Sequence, residues 1–292
     1  MSKVNITVLV ENTVRKHGLL AEHGLALWIE VDSHRILFDT GQTGVLRHNA
    51  PQLGIRLGSA DSIVLSHGHY DHTGGLASMP LSEASRRADC GEAGGTLPNP
   101  LRVLAHPGCF GDKFALNRDG TSRYIGMPQY ARDVLERSTI LIPVEAPTDI
   151  CESVVATGPV PRRTDFEPTG DTFFKDAACR EPDNLIDDQA MFIKTQNGLV
   201  VILGCAHAGI INTLNYIRDL APQHSILAVI GGMHLAAADE SRLDRTVAAL
   251  RDMQLQYLYP LHCTGHPAIG KLVQSIPNAM PVCPVGTTLN FE

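Results

Sequence analysis

Ser66-His67-Gly68-His69-Tyr70-Asp71-His72-Thr73-Gly74-Gly75 places three histidines and an aspartate within six residues, directly after the apolar run Ile63-Val64-Leu65. Imidazole and carboxylate are the donors expected for zinc and similar divalent cations. His67 and His69, two apart, face the same way if the segment is extended. Asp71 and His72 then reach in from the turn that follows. Donors this dense in so short a stretch suggest two adjacent cations rather than one closed site. The alternative is a histidine-rich surface loop in a chain with 13 histidines. The setting after a buried-type strand favours the metal reading.

Outward from this stretch, other histidines stand just beyond apolar runs. His207 follows Leu203-Gly204-Cys205-Ala206, His234 follows Ile230-Gly231-Gly232-Met233, and His262 follows Pro260-Leu261. One histidine after a strand is ordinary. Three at the ends of successive strands can converge on one rim, where distant parts of the sequence supply ligands to one site. Glycines beside each allow the backbone to approach closely.

The remaining pattern indicates strands Val4–Val10, Leu25–Val31 and Arg35–Phe38, the last two joined by a turn at Asp32-Ser33-His34. Residues 45–57 read as helical, with Pro51 opening a second short helix. Strands are expected at 101–106, 138–144, 154–157, 226–230 and 257–261, and a hairpin at 190–203 across Asn197-Gly198. Helices are expected at 209–220, 239–253 and 267–275. Trp28 falls in a strand and is expected in the core. The polar stretch near 82–100 reads as an exposed insertion, and 107–182, broken by Pro and Gly, as an irregular substrate-facing region. Together these give a single domain over residues 1–292, a two-sheet sandwich covered by helices.

Bulk properties narrow the function. The chain has 292 residues, 43% apolar, and a net charge of −7. Such a balance disfavours a general nucleic-acid binder. The seven scattered cysteines, none in C-x-x-C spacing, read as reduced thiols. No apolar run approaches a membrane span, and Met1-Ser2-Lys3-Val4-Asn5 leads directly into a strand pattern, so a cytoplasmic protein is expected, with no membrane partner. The expected partner is a small-molecule substrate. Association into a homo-oligomer stays open. Arg162-Arg163 reads as a solvated loop pair or a phosphate contact.

The His-x-His-x-Asp-His cluster after a strand resembles the metal-binding signature of the metallo-β-lactamase superfamily. Six further stretches occur in matching order: Val8-Leu9-Val10-Glu11-Asn12, Glu22-His23-Gly24-Leu25, Leu37-Phe38-Asp39-Thr40-Gly41, Gly204-Cys205-Ala206-His207-Ala208-Gly209, Gly231-Gly232-Met233-His234-Leu235 and Leu261-His262-Cys263-Thr264-Gly265. With them the chain resembles the dihydropteroate-synthase-like subgroup, which includes synthases of a dihydropterin–ribofuranosylaminobenzene phosphate. The resemblance implies an α/β fold of the αβ/βα metallo-β-lactamase type, two mixed β-sheets flanked by helices, with metals at one edge. It implies that His67 and His69 bind one metal, that Asp71, His72 and His262 bind a second, and that Asp39 supports the metal loop from behind. Where superfamily hydrolases carry another His, this chain has Asp183-Asn184-Leu185-Ile186-Asp187-Asp188. Where they carry a bridging Asp, it has Cys205-Ala206-His207. His207 is therefore the expected ligand there, Cys205 a softer alternative, and Asp188 a further candidate.

The expected function is a hydrolase with two divalent metal ions, zinc foremost, with manganese, iron and magnesium open. A bound cation lowers the pKa of water to about 7 and supplies hydroxide to a small ester-like or phosphorylated substrate. Asp71 is expected to hold that water and His234 to serve the leaving group. The alternatives are a pterin-linked transferase and a non-catalytic metal- or ligand-binding member of the fold. A di-iron oxygen reductase and a nuclease are disfavoured.

Overall fold

The computed structural model describes residues 3–81, 101–167 and 172–292. The expected polar insertion at 82–100, with Arg86, Arg87 and Cys90, falls outside them.

Two sheets carry the fold. The first contains β1 (Val4–Val10), β2 (Ala26–Val31), β3 (His34–Phe38), β4 (Ser62–Val64), β5 (Arg102–Ala105), β8 (Ile140–Pro143) and β16 (Thr288–Phe291), in the order β16-β1-β2-β3-β4-β5-β8. Its first half is antiparallel, and β3, β4, β5 and β8 run parallel. The second sheet has the order β15-β14-β13-β12-β10-β9, from β9 (Thr148–Cys151), β10 (Val154–Ala156), β12 (Ala190–Thr195), β13 (Gly198–Leu203), β14 (Ile226–Gly232) and β15 (Tyr257–Leu261). Here β13, β14 and β15 are parallel, so the ends of β13, β14 and β15 lie side by side.

Side-chain alternation assigns the layers. Along β1, Val4, Ile6 and Val8 join one core, while Leu9 and Val10 join another. Along β13, Val200 and Ile202 enter that first core, and Leu199, Val201 and Leu203 face the opposite way. The first core is therefore the space between the sheets. The other two lie between each sheet and its helices, and because both faces of β13 are buried it reads as an unbroken apolar run. Trp28 is buried in the outer core of the first sheet. The outer helices are α1 (Val45–Gln52) and α3 (Gln129–Ser138) on the first sheet, and α4 (Ile210–Leu220), α5 (Glu240–Asp252) and α6 (His266–Ser275) on the second. A one-turn helix α2 (Tyr70–Thr73) lies at the candidate site. The layers run helix, sheet, sheet, helix, as the α/β expectation required.

Differences from the sequence reading are local. Pro51 does not open a second helix; it sits in the last turn of α1, where little helix follows for a missing N–H to disrupt. The strand expected from 138 begins at Ile140. A small third sheet of β6 (Phe114–Leu116), β7 (Ser122–Tyr124) and β11 (Phe173–Phe174) was not foreseen. It lies within the region expected to face substrate.

Helix ends in the second half are capped. The Asp239 carboxylate accepts the Arg242 N–H at 2.8 Å at the start of α5. Glu167, from a distant loop, accepts the N–H groups of Ile211 and Asn212, both at 2.8 Å, in the first turn of α4.

Candidate metal centre

The ends of β4, β13, β14 and β15 meet at one edge of the sandwich. The turn after β4 supplies His67, His69, Asp71 and His72. The loop after β13 supplies Cys205 and His207, and those after β14 and β15 supply His234, His262 and Cys263. Asp39, Ala206, His234 and His262 all have left-handed backbone, with φ of 56°, 53°, 48° and 50°. Such angles are uncommon without glycine and collect at functional sites. They fold the chain back sharply at the strand ends, which turns these side chains toward one another.

Around the first cluster, His67 Nε2 lies 3.0 Å from His69 Nδ1 and 3.2 Å from His207 Nε2. Around the second, Asp71 Oδ2 lies 3.4 Å from His262 Nε2 and 4.0 Å from His72 Nε2. Cys205 Sγ stands 3.2 Å from His72 Nε2 and shares donor clusters with both His67–His207 and His72–His262. The sequence left His207 and Cys205 as alternatives; the structure brings both in.

Hydrogen bonding fixes which ring nitrogens carry protons. The Asp39 carboxylate accepts the Ser66 N–H at 2.8 Å, the Ser66 hydroxyl at 2.7 Å and His72 Nδ1–H at 2.6 Å. Ser66 spends its proton on Asp39, so it accepts from His67 Nδ1–H at 2.9 Å. The Asn12 amide nitrogen donates to the His262 carbonyl at 3.2 Å, which leaves Asn12 Oδ1 to accept from His262 Nδ1–H at 3.0 Å. His67, His72 and His262 thus each carry a proton on Nδ1 and turn Nε2 inward. His262 Nε2 and His69 Nε2 are buried without a hydrogen-bond partner.

Electrostatics set a different charge on each ring. Burial pushes His69 down to about 3, so its ring is neutral. Burial also opposes charge on His72, but the Asp39 and Asp71 carboxylates outweigh it and raise the ring to about 9. Burial would raise Asp71, yet the surrounding imidazoles hold it well below the usual carboxylate range.

A cation fits these residues. Nitrogens 3.0 and 3.2 Å from His67 Nε2, together with the partnerless Nε2 atoms of His69 and His262, line a space suited to a cation. With bonds of about 2.0–2.1 Å, donors on a shared zinc stand about 2.9–3.4 Å apart, as these do.

Other expected residues lie around these donors, and His234 forms a further donor cluster with Cys205 and Cys263. Asp188 Oδ2 accepts the Ala208 N–H at 2.8 Å, behind His207, while its Oδ1 is buried without a partner and burial raises the carboxyl to about 6. Arg162 is not a solvated loop residue; it donates to the carbonyls of His207 at 2.8 Å and Asn184 at 2.6 Å. Arg163 pairs with Asp219 at 2.6 Å on the surface. The His234 ring packs tilted against His207 with ring centres 4.3 Å apart, and its Nδ1 is buried without a partner.

Several contributors escaped the sequence. Lys113, just before β6, lies between Asp183 and Asp187 at 2.9 and 2.8 Å, and Asp187 in turn accepts the Gly68 N–H at 2.8 Å. This buried network holds the backbone between His67 and His69. Phe173, from β11, packs on His69 and His207 at 5.1 and 5.4 Å. Glu11 accepts the His262 N–H at 2.9 Å; Glu11, Asn12 and His23 all stand in the motif stretches, which was the one available signal.

Comparison with known proteins agrees. The model of the metallo-beta-lactamase superfamily matches residues 20–81. An uncharacterised protein of Methanocaldococcus jannaschii is 34% identical over 273 residues, 92% of this chain and 94% of that one. The 7,8-dihydropterin-6-methyl-4-(β-D-ribofuranosyl)-aminobenzene-5'-phosphate synthase of the same organism is 28% identical over 257 residues, 85% of this chain and 83% of that one. The crystal structure of a metal-dependent hydrolase of the β-lactamase superfamily superposes with a TM-score of 0.78 at 30% identity, covering 98% of both chains. With the four-layer sandwich and the convergence of its strand-end histidines, these likenesses make the chain a member of the metallo-β-lactamase superfamily.

Proposed function

We propose that the chain is a metal-dependent hydrolase of a small ester-like or phosphorylated substrate, working with two divalent cations. The observation that carries this is the convergence of Nε2 of His67, His72 and His262, each turned inward by a hydrogen bond on the far side of its ring. His67, His69 and His207 hold the first cation. Asp71, His72 and His262 hold the second, with Cys205 between the two. Imidazole and thiol donors favour zinc, with iron and manganese next, over magnesium, which prefers oxygen.

When bound, the cations supply Lewis acidity and draw a nucleophile from water near neutral pH. The protein's own part is placement. Asp71, ionised and 7% exposed, faces the open side and orients the attacking water. His234 offers its unpartnered Nδ1 beside His207, where it hydrogen-bonds the departing group. Phe173 covers His69 and His207 and keeps bulk water from that side of the first cluster.

A pterin-linked transferase is the second reading, supported by the name of the 28% identical relative. In that case the same residues would hold a phosphorylated leaving group while a second substrate replaces water. One experiment tests both. The protein is loaded with zinc and given phosphodiesters, lactones and thioesters singly, then a dihydropterin pyrophosphate with an aryl amine. Turnover of a single ester substrate, abolished by His67→Ala and Asp71→Ala, is expected. Turnover only when two organic substrates are present would replace the hydrolase reading by the transferase. Among the described residues no helix is long and apolar enough to cross a membrane.

A further inference from the structure

His23 lies outside the dense histidine cluster, on the loop between β1 and β2, and its side chain is 56% exposed. An exposed loop histidine is ordinarily mobile and free of duties. Here both flanks are tied to the walls of the metal centre. On one side, the Glu22 carboxylate accepts the N–H groups of Gln42 at 2.9 Å and Thr43 at 3.1 Å, and the Thr43 hydroxyl. On the other, the Gly24 N–H donates to Asn12 Oδ1 at 3.3 Å, the same oxygen that fixes the His262 ring. The Leu25 N–H donates to the Asp71 carbonyl at 3.3 Å. A Cβ at Gly24 would come within 2.7 Å of that carbonyl, so only glycine lets the loop lie this close.

So held, His23 points at Asp71. Its Nε2 is 3.1 Å from Asp71 Oδ2, and its ring centre is 4.8 Å from that of His262. Asp71 Oδ2 therefore has His23 at 3.1 Å, His262 at 3.4 Å and His72 at 4.0 Å around it. Donors on one zinc with bonds of about 2.0–2.2 Å stand about 3.3–3.6 Å apart in a tetrahedral site. His23 and His262 lie at or just inside that spacing from Asp71 Oδ2, and His72 a little beyond it. His23, Asp71 and His262 also form a donor cluster within 4.8 Å.

We infer that His23 is a fourth protein ligand of the second cation, beside Asp71, His72 and His262, supplied on the solvent side by the β1–β2 loop. The assignment rests on the two-cation reading above. It gives the second position a ligand that comes from neither set of strand ends, so this loop governs how tightly that cation is held.

The test compares wild type with His23→Ala and His23→Gln. The glutamine keeps an N–H for Asp71 but removes the imidazole. Zinc binding is read by competition with a chromophoric chelator and by elemental analysis, and coordination by the visible bands of the cobalt-loaded protein. The expected result is two equivalents in wild type. In both variants the first is retained, the second is bound at least about tenfold more weakly, and its cobalt bands change. Recovery of wild-type affinity and spectrum in His23→Gln would overturn the inference and make His23 a hydrogen-bond support of Asp71. An unchanged second equivalent in His23→Ala would overturn it as well. Fewer than two equivalents in wild type would overturn the two-cation reading itself and the assignment with it.

Discussion

The Asp39 carboxylate and the His72 imidazole meet in a fully buried hydrogen bond of 2.6 Å, and the same carboxylate holds both the backbone and the hydroxyl of Ser66. One side chain thus orients ligands of both clusters, His72 directly and His67 through Ser66. Asp39→Asn keeps the shape but can turn an N–H toward a partner that itself donates. Metal affinity is expected to fall about 10–100-fold, with both equivalents affected. Chelator competition on the variant checks this; loss confined to one equivalent would contradict the shared role.

Metal uptake should release a proton from His72. Its ring, raised to about 9 by Asp39 and Asp71 against the effect of burial, is protonated at pH 7 in the metal-free chain and must be neutral to ligate. Zinc added to weakly buffered protein at pH 7 is expected to release about one proton per chain from this residue, and affinity should rise with pH up to about 9. In the metal-free chain the sign for stability is the reverse. A raised histidine stabilises the fold fully below the unfolded value of about 6.5, and that contribution is lost as pH rises through about 9. Potentiometric titration and metal-free melting curves between pH 6 and 10, a range spanning roughly both values, measure the two effects.

Lys113→Met should unfold the site's support. It would leave Asp183 and Asp187, 4% and 0% exposed, as uncompensated buried carboxylates. A loss of about 3–5 kcal/mol is expected in urea denaturation. Burial opposes charge on Asp187, but Lys113 prevails and holds its carboxyl low. That contribution is present above the unfolded value of about 3.9 and is lost as pH falls below it. The Lys113 ammonium, raised by the two carboxylates against burial, contributes below about 10.4 and loses its effect above that. In the variant the alkaline limb should therefore flatten, while the acid limb should weaken or reverse, because burial then acts on Asp187 without the opposing ammonium.

The fold was legible because its signals are local. Apolar runs marked β1, β13, β14 and β15, and the alternation that sorts Val200 and Ile202 from Val201 and Leu203 follows from a period of two. The strand-end histidines were visible as types in position, and the structure brings His67, His69, Asp71, His72, His207, His234 and His262 to one edge. Invisible were contacts that only the closed chain creates. Lys113 is 74 residues from Asp187, and nothing around it announces a buried ammonium. Strands of two or three residues, such as the one carrying Phe173, are too short to display a period. Helix α3 was hidden among prolines and glycines, although Ala131 and Leu135 form its buried face.

Gly75→Ala should be poorly tolerated. Its added Cβ would collide with the carbonyl of Thr40 and approach that of Thr43 to 3.2 Å, and backbone cannot move aside as a side chain can. Destabilisation of about 1–3 kcal/mol or more is expected. Because the Thr40 N–H and hydroxyl both donate to the His72 carbonyl, metal content should drop alongside the melting temperature. Thermal denaturation with and without zinc separates the two losses.

The candidate ligands are divided between the two sheets: His67, His69, Asp71 and His72 follow a strand of the first, and Cys205, His207 and His262 follow strands of the second. Neither sheet can complete a coordination shell alone. A cation held there is therefore a clasp across the inter-sheet core, and its concentration acts directly on how firmly the halves are docked. At a free concentration 100 times its dissociation constant, each cation adds about 2.7 kcal/mol against separation of the sheets. The same atoms that would perform the chemistry would thus also join the two sheets, and starvation for metal would loosen the fold at that edge rather than merely silence it.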